Sequence, residues 1–264
     1  AAAVIIGNIV MGEISVSSLA VLGLAVAYGA VGLVDDYAKI KKKENAGLTP
    51  KQKLVLQILV AGVFILVLFL GSSGLPQLWI PFTGISFSWP WPLYIVFAAF
   101  VIVGADNAVN LTDGIDGLAA SVTLPVAIFF VFVGFRRGDM GVVIFSAALA
   151  GALLGFLRYN FNPAKVFMGD TGSMFLGGMV TALAFIMGRP ELVFFFGIVY
   201  IWDAMTVVIQ RVYFKLTHGK RIFRMTPIHH AFEMRGWKEV KIDFFFSLIA
   251  IIGVVLGLMY VYMA

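Results

Sequence analysis

Long apolar runs dominate this chain and most strongly constrain what it can fold into. A helix that crosses a bilayer needs about 20 mostly apolar residues. The runs here are close to that length, and they are too uniformly apolar for barrel strands, which alternate polar and apolar residues. We therefore predict an all-α, polytopic membrane protein with about eight transmembrane helices, plus a short apolar stub at 1–12. The runs occupy residues 16–34, 54–70, 91–110, 117–135, 140–157, 172–188, 191–214 and 243–262.

Composition indicates that the chain lies in a bilayer, and it argues against several other classes of protein and site. Of the 264 residues, 61% are hydrophobic and 12% charged, against roughly 25% charged in soluble domains. The net charge of +5 does not predict a nucleic-acid partner, because that interpretation needs a basic patch on a water-soluble fold. The absence of cysteine excludes disulfides and thiolate metal sites. We treat residues 1–264 as a single integral membrane domain.

The positive charges are strongly asymmetric when the helices are made to alternate across the bilayer. One side receives 16 Lys and Arg residues and the other receives 3. Because cytoplasmic loops carry the excess of positive charge, the first side is predicted to be cytoplasmic. The outer loop 71–90 carries no charge, and its Gly and Pro residues predict a hairpin.

Most carboxylates fall on the same predicted side as the lysines. Aspartates at the ends of membrane helices are unfavourable next to hydrocarbon, so they usually serve a purpose. Their gathering at one face predicts a reaction centre or an ion site there. The acids concerned are Asp35, Asp36, Asp106, Asp113, Asp116, Asp170, Asp203 and Glu233.

Three polar segments place aspartates at the ends of apolar runs. Asp35 and Asp36 are adjacent and suit Mg²⁺ binding or proton abstraction, although a solvated helix end is the alternative. Asp113 and Asp116 each precede a glycine, in a turn that could present carboxylates and amides to a nucleobase or ribose. Asp170 opens a helix, where it could hold a metal beside anion-binding N–H groups or act only as an N-cap.

Two histidines, His229 and His230, lie in the long basic loop 215–242. Imidazoles in a polar loop suit phosphate contact or proton transfer. A zinc site is disfavoured because no third ligand follows at a suitable spacing. Six lysines crowd the stretch 39–53, where contact with anionic lipid explains most of them.

Taken together, these motifs resemble those of the MraY family, the bacterial phospho-N-acetylmuramoyl-pentapeptide transferases. This family belongs to the polyprenyl-phosphate N-acetylhexosamine-1-phosphate transferase superfamily. The related N-acetylglucosamine-1-phosphate transferases share the aspartate motifs but carry a different histidine motif, and they are the alternative. The matching segments are GAVGLVDDYAK, GLTPKQK, NAVNLTDGIDGLA, YNFNPAKVFMGDTGS and TPIHHAFEMRGW.

The resemblance implies a ten-helix homodimer in the bacterial cytoplasmic membrane, with its active site on the cytoplasmic face. It implies transfer of phospho-MurNAc-pentapeptide from UDP-MurNAc-pentapeptide to undecaprenyl phosphate, giving lipid I and UMP with Mg²⁺. That step belongs to peptidoglycan and cell-wall synthesis, and hence to cell shape and division. Membrane lipids and nucleoside inhibitors are further implied partners.

The resemblance also assigns roles to individual residues. Asp170 and Asp36 are the implied metal ligands, and Phe167 is the implied neighbour of the uracil ring. The implied catalytic residues are Asp35, Asp36, Asp170, His229 and His230. The implied substrate-binding residues are Lys39, Lys43, Lys53, Asn110, Asp113, Gly114, Ile115, Asp116, Asn160, Phe167 and Gln210.

Two departures from the family pattern stand out. Ala231 occupies the position where the family usually has a third consecutive histidine. The family's first helices and its Gly-Thr-Pro-Thr-Met-Gly-Gly segment are not present, so we expect an N-terminal part to be missing.

The mechanism and one rival class stay open at this level. The lipid phosphate could attack directly, with Asp35 or Asp36 as base, or an aspartate could attack first and form a covalent intermediate. We favour direct attack, because a phosphate oxygen needs little activation at neutral pH. A cation-coupled transporter is the rival class. It is disfavoured because the acids gather at one face and no pair of broken segments occurs in matching halves.

Overall fold

The chain folds into a bundle of helices. A short β-hairpin at one end of the bundle connects two of them. The computed structural model describes residues 2–12, 16–43, 46–71 and 76–263. The strands are β1 (Gln77–Trp79) and β2 (Ser86–Ser88). The helices are α1 (Ala2–Met11), α2 (Val16–Lys42), α3 (Pro50–Gly71), α4 (Trp91–Thr112), α5 (Leu118–Arg137), α6 (Met140–Asn160), α7 (Gly169–Ile186), a 3₁₀ turn (Pro190–Leu192), α8 (Val193–Phe196), α9 (Ile198–Leu216), α10 (Ile228–Glu233) and α11 (Glu239–Met263).

The number of membrane spans agrees with the sequence prediction. Within the described residues, seven helices are long and apolar enough to cross a bilayer. An eighth span forms if the pair Pro190–Phe196 and Ile198–Leu216, bent by 84°, is counted as one. The prediction of an all-α polytopic membrane protein is therefore confirmed, and the stub at 1–12 contains helix α1.

The helices differ greatly in how much of their surface the protein covers. In the apolar 18-residue stretch of α7, 67% is buried inside the protein, whereas in the corresponding stretch of α3 the share is 22%. Large apolar side chains such as Phe100 and Leu70 are exposed, which in a bilayer places them against lipid tails. Helix α7 is thus an inner helix of the bundle, and α3 lies at its periphery.

A close approach between α2 and α7 sets the position of the adjacent aspartates. Gly32 faces the start of α7, and a Cβ atom at this position would overlap the carbonyl group of Asp170 and lie 2.7 Å from Thr171 N. Only a residue without a side chain lets the two backbones come this close. The contact brings Asp35 and Asp36, one turn further along α2, beside the first turn of α7.

The predicted hairpin is present at the opposite end of the bundle. Strands β1 and β2 are antiparallel, with Leu78 opposite Phe87, and residues 72–75 of the predicted loop lie outside the described residues. The hairpin connects the end of α3 to the start of α4. Since α3 has 22 residues, it separates this end from the aspartates by about 33 Å along its axis.

The loop predicted at 215–242 contains an unpredicted helix. The short helix α10 (Ile228–Glu233) carries both histidines, and α11 already begins at Glu239. The sequence did not reveal this helix, because the segment is mostly polar and basic. Its few apolar residues do not form, over several turns, the periodic pattern that predicts a helix.

Candidate functional site

Three carboxylates and two lysines form a compact cluster where α2, α3 and α7 meet. Asp35, Asp36 and Asp170 each offer an oxygen within 4.8 Å of the other two. Lys39 Nζ lies 2.8 Å from Asp35 Oδ2, 3.4 Å from Asp36 Oδ1 and 3.0 Å from Asp170 Oδ2. Lys53 Nζ lies 2.9 Å from the same Asp170 oxygen. The structure therefore brings together these five sequence-predicted residues.

Asp36 caps a helix to which it does not belong. Its carboxylate accepts hydrogen bonds from Asp170 N at 3.3 Å, Thr171 N at 2.9 Å and Thr171 Oγ1 at 2.7 Å. The first N–H groups of a helix have no intrahelical partner and favour a negative charge. Helix α7 thus uses Asp36 in this role. The alternative in which Asp170 is only an N-cap is wrong, because Met168 occupies that position and makes no side-chain cap bond.

Asp35 ties the end of α2 to the segment that leads into α3. Leu48 N donates to Asp35 Oδ1 at 2.7 Å, and Asp35 is only 4% exposed. One carboxylate oxygen is therefore engaged by the backbone while the other faces Lys39. This bond holds the start of α3, and with it Lys53, close to the cluster.

Asn110 orients the third carboxylate. Its side-chain amide donates to Asp170 Oδ1 at 3.0 Å and to Ser173 Oγ at 2.8 Å. With Oδ1 bound to Asn110, Asp170 Oδ2 is left to the lysines. The structure places Asn110, predicted as substrate-binding, directly on a cluster carboxylate.

A second polar layer lies one helical turn deeper between α3 and α4. Gln57, four residues after Lys53, donates to Asp106 Oδ2 at 2.7 Å, and Asn107 donates to Gln57 Oε1 at 2.9 Å. Asp106, four residues before Asn110, is completely buried. Sequence reasoning noted Asp106 among the acids but gave it no site role. A lone carboxylate inside an apolar helix was the available signal.

Asp113 lies just past the end of α4, and its carboxyl is influenced by the negative charges of the cluster. Burial raises the pKa of its carboxyl from 3.8 to about 7, and the charges of Asp170 and Asp36 add to the rise. A group with this pKa changes its charge near neutral pH. The turn that begins at Asp113 is thus coupled to the three-carboxylate cluster.

The two histidines pack on that same turn. A Cβ atom at Gly114 would overlap His229 Nε2 and lie 3.2 Å from His230 Nε2, so the missing side chain is what admits both imidazoles. His229 Nδ1 lies 3.0 Å from Asp203 Oδ2, and both side chains are fully buried. His230 Nδ1 pairs with Glu233. The description of His229 as a polar-loop residue is therefore wrong, and sequence reasoning missed Asp203 as its partner.

Asp116 and Asn160 hold the segment that precedes α7. Asp116 Oδ2 accepts from Asn162 Nδ2 at 3.2 Å and from Ala164 N at 2.8 Å. Asn160 accepts from Gly117 N at 3.1 Å and donates to Val166 O at 2.9 Å. The turn at 113–117 and the segment 160–166 thus form one hydrogen-bonded unit.

The remaining predicted residues lie at varying distances from the cluster. Ile115 packs against the core, and Phe167 is 72% exposed next to α7. Lys43 is exposed at the end of α2. Gln210 Oε1 accepts from Ile222 N and Phe223 N. The structure does not bring Lys43 or Gln210 onto the carboxylates, and the ligand-binding roles of all four residues stay predictions.

The arrangement suits a ligand that carries several negative charges together with a divalent cation. Carboxylate oxygens are the ligands that Mg²⁺ prefers, and the lysine ammonium groups can neutralise phosphate oxygens. A transporter site is not supported, because the described spans contain a single bent pair and no matching counterpart.

Comparison with known proteins gives concordant results. The profile described as glycosyl transferase family 4 matches residues 18–188. A phospho-N-acetylmuramoyl-pentapeptide-transferase of Listeria monocytogenes serotype 4b (strain CLIP80459) is 41% identical over 253 residues, which cover 96% of this chain and 78% of that protein. One of the same name from Clostridium perfringens (strain 13 / Type A) is 47% identical over 231 residues, covering 86% and 70%. A third, from Clostridium novyi (strain NT), is 45% identical over 233 residues, covering 88% and 71%.

Proposed function

Because this chain belongs to glycosyl transferase family 4 and, within it, to the phospho-N-acetylmuramoyl-pentapeptide-transferases, we propose that it makes lipid I. Its substrates are UDP-MurNAc-pentapeptide and undecaprenyl phosphate, and its second product is UMP. The observation that carries the proposal is the cluster of Asp35, Asp36 and Asp170 with Lys39 and Lys53. Such a cluster is what a transfer between two polyanionic substrates requires.

The reaction exchanges one phosphoanhydride for another. An oxygen of the lipid phosphate attacks the sugar-bearing phosphorus of the UDP substrate. The bond from that phosphorus to the bridging oxygen breaks, and UMP leaves with the bonding electrons. Lys39 and Lys53 lie on opposite helices with both ammonium groups on Asp170. In the complex they would turn to the phosphates and reduce the repulsion between the two substrates.

The donor set fits Mg²⁺. The carboxylates of Asp35, Asp36 and Asp170 converge within 4.8 Å, and Mg²⁺ is bound by one or two carboxylates together with phosphate oxygens and water. The resemblance implies Asp170 and Asp36 as ligands. Because Asp36 already accepts from two backbone N–H groups and Asp35 from only one, Asp170 and Asp35 would hold the ion, with Asp36 in support. The ion would neutralise charge that develops on the pyrophosphate.

The hydrogen bonds favour one-step transfer over a covalent aspartyl intermediate. Asp36 accepts from three donors on α7, Asp35 accepts from Leu48 N, and Asp170 accepts from Asn110 and Lys53. A carboxylate that is this well solvated by the protein is a weak nucleophile. The lipid phosphate already carries its charge, so direct attack requires no activated side chain.

The unit formed by 113–117 and 160–166 is suited to the uridine end of the substrate. Asp113 is coupled to the cluster, and the exposed Phe167 offers a ring for stacking on uracil. His229 and His230 contact this turn at Gly114, and the catalytic role that the resemblance implies for them stays a prediction. Nucleoside inhibitors of the family would occupy the same place.

In the cell, the cluster would face the cytoplasm, where the UDP substrate is made. The excess of Lys and Arg on that side supports this orientation in the bacterial cytoplasmic membrane. The proposal carries with it a role in peptidoglycan synthesis, cell shape and division. A homodimer is a prediction that light scattering in detergent can test.

Release of UMP tests the proposal directly. The purified protein in detergent, with Mg²⁺ and undecaprenyl phosphate, should release UMP from UDP-MurNAc-pentapeptide and form a lipid-linked product. UDP-N-acetylglucosamine in the same assay is the control that separates the related transferases. Turnover of that substrate in place of the pentapeptide substrate would refute the assignment.

A further inference from the structure

A cationic groove lies between the far end of α9 and the segment that leads to α10. It is a cavity of about 380 Å³. Arg211 and Lys215 contribute to it from α9, and Arg221 contributes from the facing segment. None of the carboxylates of the cluster lines it.

The charge of the groove is not neutralised by the protein. Arg211, Lys215 and Arg221 take part in no ion pair within the part of the chain that the structure describes. The sequence has no Asp or Glu between Asp203 and Glu233. The positive-inside rule explains an excess of cations in this region. It does not explain why three of them converge on one cavity.

A side-chain amide with a donor that is unpaired within the described part of the chain lies at the wall of the groove. Gln210 Oε1 accepts from Ile222 N at 3.1 Å and from Phe223 N at 2.9 Å. Because two backbone donors fix the oxygen, the nitrogen of the same amide must point the other way. Gln210 Nε2 is buried and has no hydrogen-bond partner among the described residues. A buried donor of this kind is stabilised by an acceptor.

The remaining walls are apolar. Phe214, Phe223 and Met225 line the groove together with Thr226, which precedes His229 by three residues. The groove thus combines cations and a side-chain amide with apolar surface, and Thr226 is followed in the chain by α10, whose histidines contact the turn at Gly114. Its ligand should carry an anionic group on a partly apolar chain.

We infer that this groove binds the terminal carboxylate of the substrate's peptide arm, an inference that rests on the proposed function. The phosphates of both substrates are assigned to Lys39 and Lys53, which leaves the peptide as the anionic part without a partner. The muramoyl carboxyl is consumed in the amide bond to the peptide, so a carboxylate remains free at the far end of the peptide. Guanidinium groups such as that of Arg211 bind a carboxylate through two parallel hydrogen bonds.

Charge-removing variants test the inference. Arg211→Gln and Arg221→Gln remove two groove cations, and Arg224→Gln is the matched control, because Arg224 is exposed on the same segment and does not line the groove. KM and kcat are measured with UDP-MurNAc-pentapeptide and with the same compound carrying a C-terminal carboxamide. For each groove variant we expect KM for the acid to rise about tenfold with kcat unchanged. KM for the carboxamide should not respond, and the control should behave as wild type.

Other outcomes overturn the inference. An equal rise of KM for acid and carboxamide would mean that the groove supports folding and not the peptide. A rise confined to KM for undecaprenyl phosphate would assign the groove to the lipid phosphate. If wild type itself shows no turnover, the proposed function fails. Binding of an N-acylated pentapeptide, as acid or carboxamide, to wild type and the two groove variants still decides the inference by calorimetry. Equal affinity of wild type for acid and carboxamide would refute it.

Discussion

The two ends of the bundle each carry a charged cluster, and the clusters differ in how their charges are matched. At the hairpin end, Arg189 Nη1 donates to Tyr260 Oη at 2.8 Å and pairs with Glu191 Oε1 at 3.5 Å. Tyr260 Oη donates to the same glutamate oxygen at 2.7 Å. Trp79 of the hairpin covers Arg189, with its ring centroid 4.4 Å from the guanidinium carbon. One guanidinium group is thus paired with one carboxylate and is covered by an aromatic ring.

The aspartate end is built differently. Three carboxylates share two ammonium groups, and one of these carboxylates is partly neutralised by a helix N-terminus. Lys39 and Asp36 also remain partly accessible to solvent. A balanced, covered cluster is typical of a structural role, whereas an excess of carboxylates at an open position is suited to a cation or a charged substrate. The difference separates a cluster that stabilises the fold from one that reacts.

The largest expected effect comes from exchanging one carboxylate at each end. Asp170→Asn keeps the shape of the side chain but removes the charge that we assign to the metal. Turnover should therefore fall by about 10³-fold or more, with little change in thermal stability. Glu191→Gln should leave turnover near normal and lower the free energy of unfolding by about 1–3 kcal/mol. UMP release and thermal unfolding in detergent measure both, and a Glu191→Gln variant as inactive as Asp170→Asn would break the comparison.

A second prediction concerns the contact that builds the aspartate end. Gly32→Ala places a methyl group against the backbone of Asp170 and Thr171, so α2 and α7 must separate. We expect a loss of about 1–3 kcal/mol of stability and a loss of activity to match. Gly23→Ala on the same helix is the control, because a Cβ atom there has no neighbour within 4 Å. Equal behaviour of the two variants in unfolding and UMP release would show that the close approach is unimportant.

A third prediction separates nucleotide binding from chemistry. Asp116→Asn replaces an acceptor of Ala164 N and Asn162 Nδ2 by a weaker one, which loosens the segment before Phe167. We expect affinity for the UDP substrate and for a uridine inhibitor to fall about tenfold, with a smaller change in kcat. Steady-state kinetics and inhibitor titration measure this. Unchanged affinity with collapsed turnover would reverse the assignment.

The smallest expected effect is a pH dependence from Asp113. Its pKa is raised from 3.8 to about 7, so the folded protein binds more protons than the unfolded one between these values. Stability contributed by this group therefore falls as pH rises from about 4 to 7. In metal-free detergent, wild type should lose more stability over this range than Asp113→Asn. If the free energy of unfolding of the two proteins changes equally between about pH 4 and 7, the assignment is contradicted.

The spans were predictable from the sequence, but their ends were not. The run 16–34 gave the apolar part of α2, whereas the helix continues through Asp35, Asp36 and Lys39 to Lys42. Hydropathy cannot show this continuation, because the helix persists where the chain has already left the apolar layer. Polar residues in that last turn find partners on other helices.

Long-range contacts of the site also escaped sequence reasoning. Resemblance to a family pointed to Asp35, Asp36 and Asp170. Nothing in the local sequence, however, indicates that Asp36 caps helix α7, because its partner Thr171 lies 135 positions further along the chain. The burial of His229 could not be predicted either, since it depends on Asp203 in a different helix. Residue types at fixed spacing indicate the chemistry, while packing decides which side chain performs which part of it.

Direct observation of a bound divalent cation tests the role of the aspartate cluster most closely. Mn²⁺ can replace Mg²⁺ as a paramagnetic probe, and electron paramagnetic resonance counts the bound ions in the detergent-solubilised protein. Wild type should bind one Mn²⁺ that Mg²⁺ displaces, Asp170→Asn should lose it, and Glu191→Gln should retain it. An Asp170→Asn variant that binds Mn²⁺ as tightly as wild type would contradict the assignment of this cluster as the metal-binding reaction centre.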